Sequence, residues 1–464
     1  FMPSDDALHW TTLARLVGGR ASFAERLDED ELSALHIRTK LDEGLMEAIH
    51  AGKRLYLTGN PGDGKTHFIK RHEATLKEAD VLLNLDASAT DEQKLADDLT
   101  DAIQSGRPAV VAINEGPLRQ LKRHLPSEEQ DALERQLDQP FLYGTESKEY
   151  ESGALLVNLG LRQILASDTL DGALNMVLNH VHYDDAPEEI QKNHDMLKQH
   201  RVQERLKAIL KRVAQSGRHI RIRNLLSFLA YIITGSATSK DDAAEAKPYY
   251  QLAFDERNAL YDLLEPLDPA HLSHPLIDAE LWDGNHEDIQ WLESPKESMP
   301  VKCDSLSASE AAFKRLKRRF FFEAEKGDIL FKMIPEDRQA FYDLLQNVEE
   351  NRDTAKQDLL KALTKFFGNT PDSSSKVRLP IWTGLRYRAD GPPSALIASD
   401  HLNPNDVALQ IPRLRPEADE VMEYEPDHVR LQIGSQQYNS TGLGINIDLS
   451  LWLELMKVAR GMPP

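Results

Sequence analysis

The chain is organised around the run Leu55-Tyr56-Leu57-Thr58 and the residues that follow it, Gly59-Asn60-Pro61-Gly62-Asp63-Gly64-Lys65-Thr66. The second part fits the pattern G-x-x-x-x-G-K-[ST] of the phosphate-binding loop. Glycines in this pattern free the backbone to curl around a phosphate chain and to point its N–H groups inward. An apolar, β-prone run precedes the pattern, and a helix-compatible run, residues 67–77, follows it. This order of strand, loop and helix predicts a nucleotide-binding loop and disfavours a chance glycine-rich turn.

The pattern also assigns chemistry to the side chains of the loop. Lys65 would supply a mobile cation for the β and γ phosphates, and Thr66 would supply a hydroxyl for Mg²⁺. The positive N-terminal end of the following helix adds to the attraction for phosphate. We therefore expect ATP and Mg²⁺ as cofactors. The predicted nucleotide-binding residues are Gly59, Asn60, Pro61, Gly62, Asp63, Gly64, Lys65, Thr66 and His67.

Strands and helices alternate around this loop. Apolar runs at 55–58, 81–85, 109–113 and 154–159 predict strands, and residues 65–77 and 91–104 predict helices between them. Near-continuous apolar strands that alternate with helices are typical of a parallel sheet covered on both faces. In such sheets the ligand binds at the carboxyl ends of the strands. The residues just past each strand are therefore the candidates for chemistry.

Two acidic side chains stand at predicted strand ends. Asn114-Glu115-Gly116 follows the third strand, a place where P-loop ATPases usually carry Asp-Glu. Glu115 can polarise the attacking water, whereas Asn114 cannot supply the charge of the first carboxylate. Asp86, after the second strand, is a candidate to make up that carboxylate as a Mg²⁺ ligand. The alternatives are a polar turn at Glu115 and a helix N-cap in the polar run after Asp86.

Four further residues are candidates for sensing the γ-phosphate. Asn158 ends the fourth strand and could hydrogen-bond that phosphate or the attacking water. Arg162 could face the nucleotide or a neighbouring subunit. Arg221 and Arg223 open an apolar helix in a region, 161–235, that is helical throughout, and such a helix can act as a lid. The alternatives are a polar turn, a surface arginine and ordinary ion pairs.

The rest of the chain carries weaker signals. Residues 309–325 predict a helix with Lys314, Arg315, Lys317, Arg318 and Arg319 as its basic cluster, which is either a DNA contact or a face paired with nearby acids. Short β-like runs follow at 377–383, 385–388, 407–411, 429–433 and 443–447, and a closing helix is predicted at 449–460. These last elements predict a small β-rich module.

Composition limits the classes of function. The net charge of −21 over 464 residues is unlike that of proteins that coat nucleic acid, so any DNA contact would need a local basic patch or a partner protein. Cys303 is the only cysteine, which excludes a disulfide framework or a cysteine zinc site within one chain and favours the cytoplasm. No run approaches the ~20 apolar residues of a membrane span, so we expect no membrane contact.

Three of these motifs together resemble a known family. The phosphate-binding loop, then Ala112-Ile113-Asn114-Glu115-Gly116-Pro117-Leu118, then His219-Ile220-Arg221-Ile222-Arg223 are similar to the AAA-type ATPases of bacterial genome-defence operons. The likeness is to the DptF-like ATPases of DNA-phosphorothioation-dependent restriction, and it covers roughly residues 30–240. It implies an oligomeric, ATP-hydrolysing subunit that works beside partner proteins on foreign DNA. In this sequence Asn114 departs from the family pattern.

The expected fold is an α/β P-loop NTPase core with a parallel, AAA-like sheet. We predict an N-terminal helical segment (1–53), the core (54–165), a helical lid (166–240), a linker and helical region (241–370) and the β-rich C-terminal module (371–464). The expected function is ATP hydrolysis that drives or gates a restriction complex. A nucleotide-gated scaffold with little hydrolysis is the alternative, and Asn114 is the residue that favours it.

Overall fold

The structure is a computed structural model of the chain. It describes residues 8–17, 29–60, 62–87, 90–143, 153–165, 167–237, 239, 247–284, 289–293, 305–366, 377–383, 395–402, 405, 407–433 and 443–462. The strands are β1 (Leu8–His9), β2 (Arg54–Thr58), β3 (Leu82–Asn84), β4 (Ala109–Ala112), β5 (Phe141–Tyr143), β6 (Ala154–Asn158), β7 (Val181–His182), β8 (Val377–Thr383), β9 (Ala395–Leu402), β10 (Val407–Gln410), β11 (Pro412–Leu414), β12 (His428–Ile433) and β13 (Leu443–Asp448).

Helices make up most of the remaining described residues. The α-helices are α1 (Trp10–Ala14), α2 (Glu29–Ala34), α3 (Lys40–His50), α4 (Lys65–Glu78), α5 (Glu92–Ser105), α6 (Glu115–Leu121), α7 (Ser127–Asp138), α8 (Ser167–Asn179), α9 (Glu188–Leu197), α10 (His200–Ala214), α11 (Ile222–Thr234), α12 (Tyr249–Leu252), α13 (Tyr261–Leu264), α14 (Pro275–Asp283), α15 (Leu306–Glu323), α16 (Glu336–Gln346), α17 (Val348–Phe366), α18 (Pro416–Asp419) and α19 (Leu449–Ala459).

The central sheet is parallel and has the strand order β3-β4-β2-β6. Alternate side chains of β2 point to opposite faces. Leu55 and Leu57 pack with α3 and α4, whereas Tyr56 packs with α5 and α7. A sheet buried on both faces needs apolar residues at nearly every strand position, which is why its strands were readable as continuous apolar runs. The predicted parallel α/β sheet is confirmed, with strand and helix ends within two residues of the predicted ones.

The outer edge of β6 forms hydrogen bonds with a side chain and not with another strand of this sheet. Gln136 of α7 donates through Nε2 to the carbonyl oxygen of Ala154 at 3.1 Å and accepts from the backbone N–H of Leu156 at 2.8 Å. This pair of bonds imitates a β-ladder and satisfies backbone groups that would otherwise be open to pairing. It also fixes α7 beside the strand that carries Asn158.

A second core belongs to the helical part of the chain. It is formed by the α8–α15 region together with α1, and Phe228, Leu229 and Tyr231 of α11 are fully buried in it. The predicted lid (166–240) and the first part of the predicted middle region therefore share one core. Residues of the predicted N-terminal segment also join it, since Trp10 is buried there and β1 pairs in parallel with β7.

The C-terminal strands share their core with helices that precede residue 371. Strands β10, β12 and β13 make an antiparallel sheet, and its core includes α16 and α17, which we had assigned to the preceding region, as well as α19. Trp452 of α19 donates through Nε1 to the carbonyl oxygen of Asp337 at 2.8 Å. Strands β8 and β9 pair with each other. The run 385–388 lies outside the described residues.

Residues 412–424, between β10 and β12, leave this sheet and join the half of the chain that contains the parallel sheet. Strand β11 pairs antiparallel with β5, and Leu414, Val421 and Met422 are buried in the same core as β2 and α4. This segment, which lies within the predicted C-terminal module (371–464), therefore contributes to the core of the region predicted as 54–165. In the described ranges, no helix has the length and apolar character that crossing a bilayer requires.

Candidate functional site

The loop between β2 and α4 has the backbone shape that its glycines allow. Gly59, Gly62 and Gly64 have φ angles of 137°, 93° and 99°, a region that other residues rarely adopt. A Cβ on Gly59 would lie 2.8 Å from Asp63 Oδ2, so the chain packs too closely there for any side chain. Helix α4 begins at Lys65, directly after the last of these glycines. The predicted order of strand, loop and helix is therefore present, and Pro61 lies outside the described residues.

Lys65 lies across the loop that precedes it. Its Nζ donates to the carbonyl oxygens of Gly59 at 2.6 Å and of Asn60 at 3.1 Å. Burial lowers the pKa of Lys65, and the nearby carboxylates of Asp63 and Asp86 oppose that shift. Asp86 follows β3, and β3, β4 and β2 are parallel neighbours, so the end of β3 and the loop lie at the same edge of the sheet.

Asp63 connects the loop to a distant part of the chain. Its Oδ2 accepts the backbone N–H of Asn60 at 2.6 Å, and its Oδ1 accepts Nε2–H of His219 at 2.8 Å. The Asp63 side chain is only 2% exposed. Both carboxylate oxygens are therefore used, one within the loop and one toward the residues that precede α11. Sequence patterns assign Asp63 no more than a loop position and give His219 no role.

Arg221 lies beside the same loop. It is the residue before α11, and its Cδ is 3.5 Å from the position a Cβ on Gly62 would take. Arg221 and Arg223 are both half-buried. Within the part of the chain that the structure describes, neither guanidinium has a hydrogen-bond or ion-pair partner. The start of this helix therefore lies beside the loop at Arg221, and no contact of Arg223 with the loop is found among the described residues.

Thr66 and His67 lie on the exposed first turn of α4. The Thr66 hydroxyl and the exposed Asp86 carboxylate are oxygen donors of the kind that Mg²⁺ prefers. Mg²⁺ normally keeps several waters and takes only one or two protein ligands beside the phosphates, so these two residues fit that ion. His67 Nε2 lies 3.2 Å from Nδ1 of His36, so its ring is engaged on the side of α3. Over the described residues no cluster of three His, Cys, Asp or Glu side chains could hold a metal.

Glu115 and Asn158 line one cleft although β2 separates the strands that precede them. Leu414, Arg415 and Glu417 of the 412–424 segment line its other side. The volume is about 120 Å³. Small-molecule pockets span roughly 300–1,000 Å³, so this cleft has room for waters or one small group and not for a whole nucleotide. The structure thus brings together the predicted carboxylate and the predicted polar sensor.

Local bonds orient both residues of that cleft. Glu115 is 51% exposed, begins α6 and pairs through Oε1 with Nη2 of Arg119 at 2.9 Å. Arg119 also pairs with Asp138 at 3.0 Å, which holds it between two acids. Asn158 Oδ1 accepts the backbone N–H of Gly160 at 2.9 Å, which leaves its amide N–H₂ group to donate. Asn114 is exposed and makes no side-chain cap bond to α6.

Arg162 has a structural position. Its side chain is 6% exposed, its Nε donates to Glu423 at 2.7 Å, and its Nη2 donates to Thr39 Oγ1 at 2.7 Å. Those bonds join three segments that are far apart in sequence. A guanidinium enclosed in this way does not face a neighbouring subunit, which was one of the two positions expected for Arg162.

The basic cluster on α15 is largely paired with acids. Arg318 donates through Nε to Asp268 at 3.0 Å, Arg319 donates through Nε to Glu323 at 2.9 Å, and Lys317 lies 2.9 Å from Asp278. Lys317 is itself buried. These contacts match the alternative of an acid-paired helix face and take the three side chains away from a DNA-binding role.

No protein-family model, no curated protein and no solved structure matches this chain. The geometry of the loop and of the strand ends therefore carries the functional argument.

Proposed function

We propose that this protein binds a nucleoside triphosphate with Mg²⁺ and hydrolyses it. One observation carries the proposal. A glycine-rich loop with three left-handed glycines joins the carboxyl end of a central parallel strand to a helix whose first residue is Lys65. Backbone N–H groups in such a loop and the helix N-terminus attract phosphate, and a lysine at this point neutralises its charge. Arg221, which has no side-chain partner among the described residues and lies against Gly62, adds a second cation for the same ligand.

In this proposal each residue acts by position and charge. The ammonium of Lys65 exchanges the carbonyls of Gly59 and Asn60 for phosphate oxygens. Thr66 and Asp86 would hold Mg²⁺, which when bound would neutralise charge on the β and γ phosphates. Glu115 accepts a proton from water as that water bonds to the γ-phosphorus and the bond to the β–γ bridging oxygen breaks. Asn158 donates to the γ-phosphate or to that water, and positioning of this kind accounts for most phosphoryl-transfer catalysis.

Replacement of the loop lysine tests the binding step. We expect Lys65→Ala to abolish binding of a fluorescent ATP analogue in the presence of Mg²⁺. Lys70→Ala, on the exposed side of the same helix, is the matched control and should bind as the unmodified protein does. Equal affinity in all three proteins would refute the assignment of the loop.

The turnover step has its own test, because a nucleotide-gated scaffold would bind ATP and hydrolyse little of it. Asn114 favours that alternative, since it lacks the charge of a carboxylate at the end of β4. If Glu115 is the catalytic carboxylate, Glu115→Gln should keep ATP affinity and lose phosphate release, by roughly 10²–10⁴-fold for loss of a general base. Unchanged release would move the chemistry to another carboxylate, and release near the uncatalysed rate in the unmodified protein would favour the scaffold.

The motif resemblance supports a place for this turnover in a DNA-restriction complex. We propose that the protein works there in the cytoplasm with partner proteins or with copies of itself. ATP turnover measured with and without DNA, together with the mass of the nucleotide-bound protein, tests this context. If the protein is a monomer and DNA does not change its ATP turnover, a partner protein would have to make the contact with DNA.

A further inference from the structure

His219 makes the only hydrogen bond that the structure gives, among the described residues, between the phosphate-binding loop and the start of α11. Its Nε2–H donates to Asp63 Oδ1 at 2.8 Å across 156 positions of sequence. The acceptor is almost fully enclosed, whereas the His219 side chain is 23% exposed. The second oxygen of Asp63 accepts the backbone N–H of Asn60. A displacement of this carboxylate would therefore also move the backbone that would surround the phosphates.

The residues next to His219 extend this connection in both directions. Ile220 is buried in the helical core that also contains α11, so this point of the chain is anchored to the helical half. Arg221 comes next, and its stem lies against Gly62 of the loop. Of these three consecutive residues, the first and the third therefore lie against the loop, and the second packs in the helical core. The bond between His219 and Asp63 therefore holds the backbone that carries Arg221 close to the loop.

We propose that His219 is a positioning residue, which through its bond to Asp63 sets the place of Arg221 beside the triphosphate. The inference rests on the proposed nucleotide binding and extends it to a residue that makes no contact with the ligand itself. A hydrogen bond to a charged group is stronger than one between neutral groups, so Asp63 is well suited to hold this connection.

A double-mutant cycle separates positioning from a general effect on folding. The proteins are His219→Ala, Arg221→Ala and the double variant, with His219→Gln as the variant that keeps an N–H donor. His200→Ala is the matched control, because His200 is an exposed histidine at the first residue of α10. Affinities for ATP–Mg²⁺ and for ADP are measured with a fluorescent analogue, and thermal unfolding midpoints are recorded for each protein.

We expect Arg221→Ala and His219→Ala each to weaken ATP binding roughly tenfold, the size of a lost charge-assisted contact, with a smaller effect on ADP. If His219 acts through Arg221, the double variant should bind ATP no more weakly than Arg221→Ala alone, and His219→Gln should restore most of the affinity. Independent effects that multiply in the double variant would overturn the proposal, as would native ATP affinity in His219→Ala.

The outcome can be told apart from failure of the proposed function. If Lys65→Ala abolishes ATP binding while His219→Ala binds normally, only the positioning role is lost. If Lys65→Ala itself binds normally, the nucleotide site is refuted and the cycle has no basis. Should His219→Ala fail to fold, His219→Gln and Arg221→Ala still decide the question, because a donor at position 219 should then keep the preference for ATP over ADP and loss of Arg221 should remove it.

Discussion

Burial and two nearby carboxylates act in opposite directions on the pKa of Lys65. Burial lowers the pKa of its ammonium below the ordinary lysine value, and the carboxylates of Asp63 and Asp86 act in the opposite direction. Only the charged form neutralises phosphate, and that form is lost as pH rises through the pKa. The affinity for ATP should therefore fall with rising pH at lower values than an ordinary lysine would allow.

Removal of the Asp86 charge should shift that decline. Asp86→Asn takes away one of the two carboxylates that favour the charged lysine, so the pKa of Lys65 should fall further and ATP affinity should decline at lower pH than in the unmodified protein. Titration of ATP-analogue binding from neutral to alkaline pH measures the midpoint. Asp98→Asn, an exposed change on α5, should leave it in place. An unmoved midpoint in Asp86→Asn would show that Asp86 does not act on Lys65.

The residues of the site were predictable to different extents. Lys65, Thr66 and the glycines follow from one short pattern, because neighbours in sequence build the loop. Glu115 and Asn158 follow from the rule that ligands bind at the carboxyl ends of parallel strands. The bond between Asp63 and His219 was not predictable, since no local pattern specifies which histidine meets a loop 156 positions away. Arg162 shows the converse, because a position just past a strand end also suits a buried ion pair.

Helix α15 shows how a basic run can be structural. Its Arg318 pairs with Asp268, whose side chain is 2% exposed, and the guanidinium also lies 5.3 Å from the ring of Phe254. Removal of one partner from a buried ion pair leaves an uncompensated charge and costs about 3–5 kcal/mol. Arg318, Arg319 and Lys317 of the basic cluster are therefore explained by the acidic residues Asp268, Glu323 and Asp278 that they pair with.

Arg318→Ala should accordingly lower stability. We expect the free energy of unfolding to fall by about 3 kcal/mol or more, measured as a lower urea midpoint. Lys314→Ala is the matched control, because Lys314 makes an exposed pair with Glu310 one turn away and exposed pairs of this kind add little to stability. If Arg318→Ala instead keeps its stability and loses DNA-stimulated ATP turnover, the cluster is a DNA contact after all.

Strands and helices with a regular pattern of apolar residues could be predicted from the sequence. How these elements pack against one another could not. The apolar strands of the sheet and the helices α4, α5, α15 and α19 begin and end close to the predicted residues, because burial on one or two faces leaves a direct pattern. Which helices share a core depends on contacts between distant residues. Helices α16 and α17 carry the same amphipathic pattern wherever they pack, so nothing local indicated that they cover β10, β12 and β13.

The two halves of the molecule are joined by the 412–424 segment. It leaves the C-terminal sheet after β10, adds β11 to β5, closes the cleft lined by Glu115 and Asn158, and returns as β12. Close packing fixes it in place, since a Cβ on Gly44 of α3 would lie 2.6 Å from the Val421 Cα. A displacement at the end of β6 can therefore be transmitted to the C-terminal sheet through the residues of this one segment.

The buried pair of Arg162 and Glu423 is another of these connections. Arg162 lies four positions after Asn158, and Glu423 Oε1 also accepts Thr169 Oγ1–H at 3.2 Å, so the pair holds the strand end, the start of α8 and the C-terminal segment together. Glu423→Gln removes one charge and leaves the other buried. We expect a loss of about 3 kcal/mol in the free energy of unfolding, the lower end for a broken buried pair.

The strands that lose stability in Glu423→Gln show whether the C-terminal residues share a core with the central sheet or form an independent module. Hydrogen exchange should show faster exchange at the amides of β2 and β6 in Glu423→Gln, because the segment shares their core, and ATP turnover should fall as Asn158 loses its support. Glu420→Gln, an exposed change in the same segment, should alter neither. If only β10, β12 and β13 exchange faster and turnover holds, the nucleotide-binding half is independent of the C-terminal residues, and the cleft needs no wall from them.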